Sequence, residues 1–461
     1  MSSEHPSTAA SSSASAGTMN SRHLVMMSLG SAIGAGLFVG SGAGITAAGP
    51  AVLVSYLAAG IVVLLIMRML GEMVAENPSS GAFSVYAERA LGPAVGFAMG
   101  WLWWLQLVVV IAAEATAAAQ ILVGIWDGVP QWALALIFMV LFTLINLTGA
   151  KNFGEFEFWF ALVKVGAVIA FLLIGVALLV GLLPVPSPGL ANLTAHGGFA
   201  PQGLGGITAG LLVVIFAFGG IEIVAVAAAD SDDPSANIAR AMHTILWRIL
   251  AFYMGSVAIM VLVLPWNSPD LAGTPFVAVL DHAGLPAAAL IMGLIVVIAL
   301  LSALNANLYG ASRMIHSLAE RGYAPQRLTR INGRGVPVAA VFVSVAFGFV
   351  AVFLNYVWAE KILLILLNIV GATIIVTWAV TICSHIVLRR QLEKEGKRPR
   401  LPMWCFPWLS YAALVALAAV VVLGMSAPDV RVQFLGTAAA MAVLVGVGVL
   451  FTRNRRAQEN A

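Results

Sequence analysis

Twelve long apolar runs constrain this chain more than any other feature. They lie near residues 22–44, 51–73, 95–124, 131–149, 158–183, 205–229, 241–264, 286–312, 337–356, 361–388, 407–425 and 432–452. Each can cross a hydrocarbon core of about 30 Å at about 1.5 Å per residue. Hydrocarbon offers no partner to bare N–H and C=O groups, so each run must close its own hydrogen bonds as a helix. Charged residues make up only 9% of the chain, where a soluble domain carries roughly a quarter. The expected fold is an all-α integral membrane protein with twelve transmembrane helices.

Orientation follows from the basic residues. With the N-terminus inside, 20 of the 23 Lys and Arg residues fall on the cytoplasmic side. The outer loops hold only Lys361 and Arg431, and Lys164 lies within a span. Both termini are expected in the cytoplasm, with the protein multi-pass in the plasma membrane. Residues 1–21, rich in Ser and Ala, read as a disordered cytosolic tail and not as a signal peptide, and 453–461 as a short C-terminal tail. The net charge of +3 reflects basic loops that face anionic lipid, and no nucleic-acid partner is expected. Cys383 and Cys405 are the only cysteines, so no disulfide or zinc framework can be built. Neither a metal nor an organic cofactor is expected, and no obligate protein partner is evident.

Two runs are broken by glycine at matching places in the two halves of the chain. The first reads Gly30-Ser31-Ala32-Ile33-Gly34-Ala35-Gly36-Leu37-Phe38, and the second Phe216-Ala217-Phe218-Gly219-Gly220-Ile221-Glu222. Unwound backbone at membrane depth is tolerated only where it lines a protein cavity. Paired interruptions of this kind point to a transport site near the bilayer midplane, as in a secondary transporter. Close packing through small residues accounts for Gly36 and Gly40, and less well for the density of Gly and Ala around an unwound turn. A dinucleotide fingerprint needs a preceding strand and a later acidic residue, which this run lacks. A half-helix beginning after the break aims free N–H groups and its positive dipole end at a carboxylate. The half-helix ending before it leaves carbonyls for an ammonium group. Backbone from Ile33 to Leu37, through Gly34, facing backbone from Phe216 to Gly220, is thus placed to hold both ends of an amino acid zwitterion.

Of the 43 Asp, Glu, Lys and Arg residues, Glu114, Lys164 and Glu222 are the ones predicted well inside spans. Each Asp, Lys or Arg at such depth costs about 2.5–3.5 kcal/mol on insertion scales, so an intramembrane charge is a functional candidate by default. These three are the candidate proton-coupling residues, and each also has a plainer reading. Lys164 is near enough to the cytoplasmic face to snorkel, or to pair with Glu155 or Glu157. Glu222 follows the Gly-Gly break and can cap freed N–H groups. Glu114 lies among Ala113, Ala115, Ala117 and Ala118, with nothing local to satisfy it. Arg68 and Glu72, four apart in span 2, are expected to pair along their helix. No nucleophile–base or metal set can be assembled within the spans, so an intramembrane enzyme is not expected.

The chain also resembles a known family. Ile33-Gly34-Ala35-Gly36-Leu37-Phe38-Val39-Gly40-Ser41, Ala48-Gly49-Pro50, Arg68-Met69-Leu70-Gly71-Glu72-Met73, Lys151-Asn152-Phe153-Gly154-Glu155-Phe156-Glu157 and Ser317-Leu318-Ala319-Glu320-Arg321-Gly322 are similar to the ordered motifs of amino acid permeases of the amino acid–polyamine–cation superfamily. The likeness covers about residues 20–450, and the GABA permease-like members are most similar by eye. It implies a LeuT-type fold with a 5+5 inverted repeat. The core would be 22–400, with repeats at about 22–183 and 205–388 and broken helices 1 and 6, and spans 11 and 12 within 401–452 would be peripheral. It further implies that Ala32 and Ile33 offer carbonyls to the substrate α-amino group, and Ala35, Gly36 and Leu37 offer N–H groups to its carboxylate. Phe216, Ala217 and Gly219 would complete the ammonium site, with Phe218 as an aromatic gate. The resemblance also implies that Lys164 matches a span-5 lysine that in some relatives stands where sodium-coupled members hold an ion. Some exchangers carry Ser or Thr at the position of Ala35, so the carboxylate here would rely on backbone alone.

The expected function is import of an amino acid, GABA or another small one, by proton symport and alternating access, with the proton as the coupling ion. Substrate exchange shares the architecture and stands as the alternative, with an amino acid sensor or a channel less well supported. A specificity wall is expected from spans 3, 8 and 10, near Ile111, Glu114, Asn305 and Asn368. Glu114 there is a candidate partner for the distant amine of GABA.

Overall fold

A computed structural model describes residues 33–79, 81–126, 128–148, 150–220, 250–358, 362–426 and 428–459. Helix is the only regular secondary structure among them. In chain order the helices are α1 (Ala35–Phe38), α2 (Gly40–Ala48), α3 (Val52–Glu76), α4 (Ala82–Leu91), α5 (Pro93–Ile125), α6 (Gln131–Asn146), α7 (Ala150–Leu179) and α8 (Gly203–Ala217). They continue with α9 (Leu250–Val263), α10 (Pro269–Gly273), α11 (Pro275–His282), α12 (Pro286–Glu320), α13 (Val338–Val357), α14 (Ile362–Lys394), α15 (Trp408–Gly424) and α16 (Pro428–Glu459). Among the described residues, seven helical stretches are long and apolar enough to cross a membrane. Four shorter apolar helices, α6, α8, α9 and α15, coincide with four more of the predicted runs.

Local chemistry marks the corners. Proline occupies the first position of α5 and α12, where its missing N–H would go unused anyway. Gly49, at φ +62, turns the chain from α2 into α3 ahead of Pro50.

Helix α5 is the central post, packed against α4, α12, α13, α14 and α16. Ala112, Ala113, Ala115, Ala117, Ala118 and Ala119 are all buried on it, and their small side chains let neighbouring backbones approach closely. The outer faces carry large apolar residues in the open, such as Leu173 at 67% exposure and Val422 at 70%. A surface of that kind is stable against lipid tails and not against water. The chain is a multi-pass membrane protein.

Candidate functional site

The described backbone departs from helix at both predicted places. Ile33 and Gly34 form a bend, α1 makes a single turn, and Val39 interrupts it before α2 continues. In the second half α8 ends at Ala217, Phe218 and Gly219 turn onto Ile215 and Phe216 carbonyls, and Gly220 adopts φ +94. A left-handed φ suits glycine, which carries no Cβ to clash. The two breaks meet. A Cβ on Gly36 would overlap the Cα of Ala217, so only glycine allows this approach.

Between the breaks lies a cavity of about 30 Å³, room for about two waters. Backbone from Gly34, Gly36, Phe216, Ala217, Gly219 and Gly220 lines one side. Helix α5 supplies Trp103, Gln106, Leu107, Val110 and Glu114, and Asn307 and Val370 close the wall from α12 and α14. The wall therefore comes from the three spans expected, with Glu114 as expected and one position shifted on each span. Asn307, not Asn305, faces the cavity, and Asn305 instead accepts a 2.7 Å bond from Asn146 on α6. Val370 takes the place foreseen for Asn368, and on α5 Val110 takes that of Ile111.

Glu114 answers the question its sequence context left open. The Ala35 N–H, the first of the half-helix after the break, points between its two carboxylate oxygens at 3.2 Å from each. A Cβ on Gly34 would lie 2.7 Å from Glu114 Oε1 and 3.1 Å from Ala303 Cβ, so the unwound turn is wedged between α5 and α12. The protein's own carboxylate thus occupies one of the N–H groups assigned to a substrate carboxylate. The Leu37 N–H is spent on Gly34 O at 3.2 Å, and Gly36 remains at the cavity wall. Across the cavity, the Ala217 carbonyl accepts a 2.8 Å bond from the Tyr253 hydroxyl. Phe216 lines the cavity, whereas Phe218 is buried beyond it, stacked on Tyr253 with centroids 5.1 Å apart and edge-on to Tyr56. Ile33 is fully buried at the bend. Ala32 and Glu222 lie outside the described residues.

Lys164 is fully buried, which removes the snorkelling reading. Its Nζ lies 3.7 Å from Glu157 Oε1, and Glu157 Oε2 accepts a 2.8 Å bond from Ser302 on α12. The pair with Glu157 is one of the plainer readings expected of Lys164, although Glu157 is not itself among the predicted intramembrane charges. Glu157 stands one residue before the predicted start of its apolar run and is fully buried, with Ser302 of α12 bonded to it. The i,i+7 spacing to Lys164, two helical turns, was the available signal.

A model of the amino acid permease family matches residues 23–461. The chain belongs to the amino acid permease family. The permease is 44% identical to a gamma-aminobutyric acid permease of Bacillus subtilis, covering 96% of this chain and 95% of that one. It is 46% identical to an aromatic amino acid transport protein of Corynebacterium glutamicum, over 93% of each chain. A gamma-aminobutyric acid permease of Escherichia coli is 39% identical over 95% of this chain and 93% of its own. The permease is a transporter and not an enzyme.

Proposed function

We propose that this permease imports an amino acid, GABA or another small one, by proton symport and alternating access, on a LeuT-type bundle of twelve spans with both termini in the cytoplasm. The observation that carries this reading is that the Ile33–Gly34 bend and the end of α8 meet at one cavity that buried Glu114 helps to wall. Backbone from Ala32 to Leu37 and from Phe216 to Gly219 holds the two ends of the substrate. Trp103, Gln106 and Asn307 read what lies between or beyond them. The coupling proton is carried among Lys164, Glu222 and Glu114. The cavity is tight, so entry of substrate requires the half-helices to part, and the substrate carboxylate competes with Glu114 for the Ala35 N–H.

The relatives' names span GABA and aromatic amino acids, so the test is radiolabelled uptake into proteoliposomes with a panel of both kinds. Under an imposed inward proton gradient we expect accumulation that collapses with a protonophore. Uptake that ignores the gradient and requires internal amino acid would make the permease an exchanger.

A further inference from the structure

Three buried ionisable side chains stand at the first break and its neighbouring spans: Glu114 on α5, and Glu157 and Lys164 on α7. They form one electrostatic unit. Glu157 faces Lys164 at 3.7 Å, and Lys164 lies within Coulomb range of Glu114. The helix α12 ties them together, since Ser302 holds Glu157 while its neighbour Ala303 abuts the Gly34 turn that caps Glu114. Among the described residues, Tyr253 on α9 is the other titratable group in range of Glu114.

Fully ionised, this unit holds two negative charges and one positive, an excess of one negative charge with no described cation to meet it. An uncompensated buried charge is strongly unfavourable, and a paired one much less so. One added proton makes the unit neutral. Glu157 already has a cation and a hydroxyl donor, while Glu114 has a single backbone N–H, which it must surrender when a substrate carboxylate arrives. We infer that Glu114 takes the coupling proton, and that Glu157 is a positioning residue that keeps Lys164 charged and engaged as a fixed counter-ion. The step is a simple proton addition: the Glu114 carboxylate becomes a carboxylic acid, its bond from Ala35 weakens, and that N–H is released to the substrate. This assignment rests on the symport reading above and selects among its proton carriers.

The test uses the full-length permease in proteoliposomes, with labelled GABA or phenylalanine, whichever the wild type accumulates. In Glu157→Gln the Lys164 charge no longer faces the Glu157 carboxylate and can neutralise Glu114 without a proton, so uptake should lose its dependence on external pH and its accumulation. Adding Lys164→Met restores the excess negative charge and should bring pH dependence back. Glu114→Gln should lose accumulation whatever else is changed. A structural ion pair alone would not make one variant pH-independent and its double variant pH-dependent again. Infrared difference spectra guard against a variant that fails to fold. The wild type should show a protonated-carboxyl band that Glu114→Gln removes. Glu157→Gln with wild-type pH dependence, a double variant that stays insensitive to pH while transporting, or a carboxyl band that survives Glu114→Gln overturns the assignment. A wild type whose uptake ignores the proton gradient overturns the symport reading itself, and is told apart by needing no variant.

Discussion

Gly36 and Gly34 show how much rests on a missing methyl group. At Gly36 a Cβ would meet backbone of Ala217, which cannot yield without parting the two breaks. Gly36→Ala should therefore cost at least the ~1–3 kcal/mol of an overpacked core, read as a lower yield and a lower melting temperature in detergent. At Gly34 the obstacle is the Glu114 carboxylate, a side chain that can move. Gly34→Ala should keep more stability and lose transport, because it pushes Glu114 off the Ala35 N–H. Gly40 is the control. Its Cβ would make ordinary contacts at 3.5 Å and beyond, and Gly40→Ala should do neither. The three glycines look alike in sequence. Only the facing residue separates them.

At the scale of elements, the C-terminal end of α3 is clasped from outside its own helix. Glu72 is buried at 3% exposure and accepts a 3.0 Å bond from Arg389, lies 3.4 Å from His385 Nε2, and takes the Met403 N–H at 2.5 Å. Arg68 turns instead to the Pro402 carbonyl at 2.8 and 3.0 Å and lies over the Trp404 ring. The expected Arg68–Glu72 pair gives way to tertiary partners. An i,i+4 pair is worth about 0.2–0.5 kcal/mol, less than a single hydrogen bond to a charged group at about 1.5–3. Glu72→Ala should cost about 1.5–3 kcal/mol, since Arg389 keeps only Glu393 of its two carboxylates and the Met403 N–H loses its acceptor. Arg68→Ala should cost less than half as much. Thermal unfolding in detergent checks both, and equal losses would contradict the clasp.

At the scale of the molecule, orientation is the property that the charge bias predicts most directly. Cys405 is exposed in the loop that meets α3, a loop assigned to the cytoplasm by the basic run from Arg389 to Arg400. A membrane-impermeant maleimide should label it in inside-out vesicles and spare it in intact cells, with Cys405→Ser as the control. Labelling from outside would reverse the topology.

The sequence by itself determined the helical, membrane-embedded character of the chain and the places near Gly34 and Gly220 where the described backbone leaves helix. These follow from local quantities: run length, hydropathy, and glycine where backbone must unwind. It also singled out Glu114 and Lys164, because a charge in an apolar run stands out without any neighbour being known. What touches what was decided only by tertiary structure. The Ala35 N–H meets Glu114 across 79 positions of chain, and Ser302 meets Glu157 across 145. Glu157 is buried with Ser302 of α12 bonded to it, and Asn307 rather than Asn305 reached the cavity through the rotation of that helix. Burial of a side chain and the direction of a helix face are set by packing partners distant in sequence, and no local pattern encodes them.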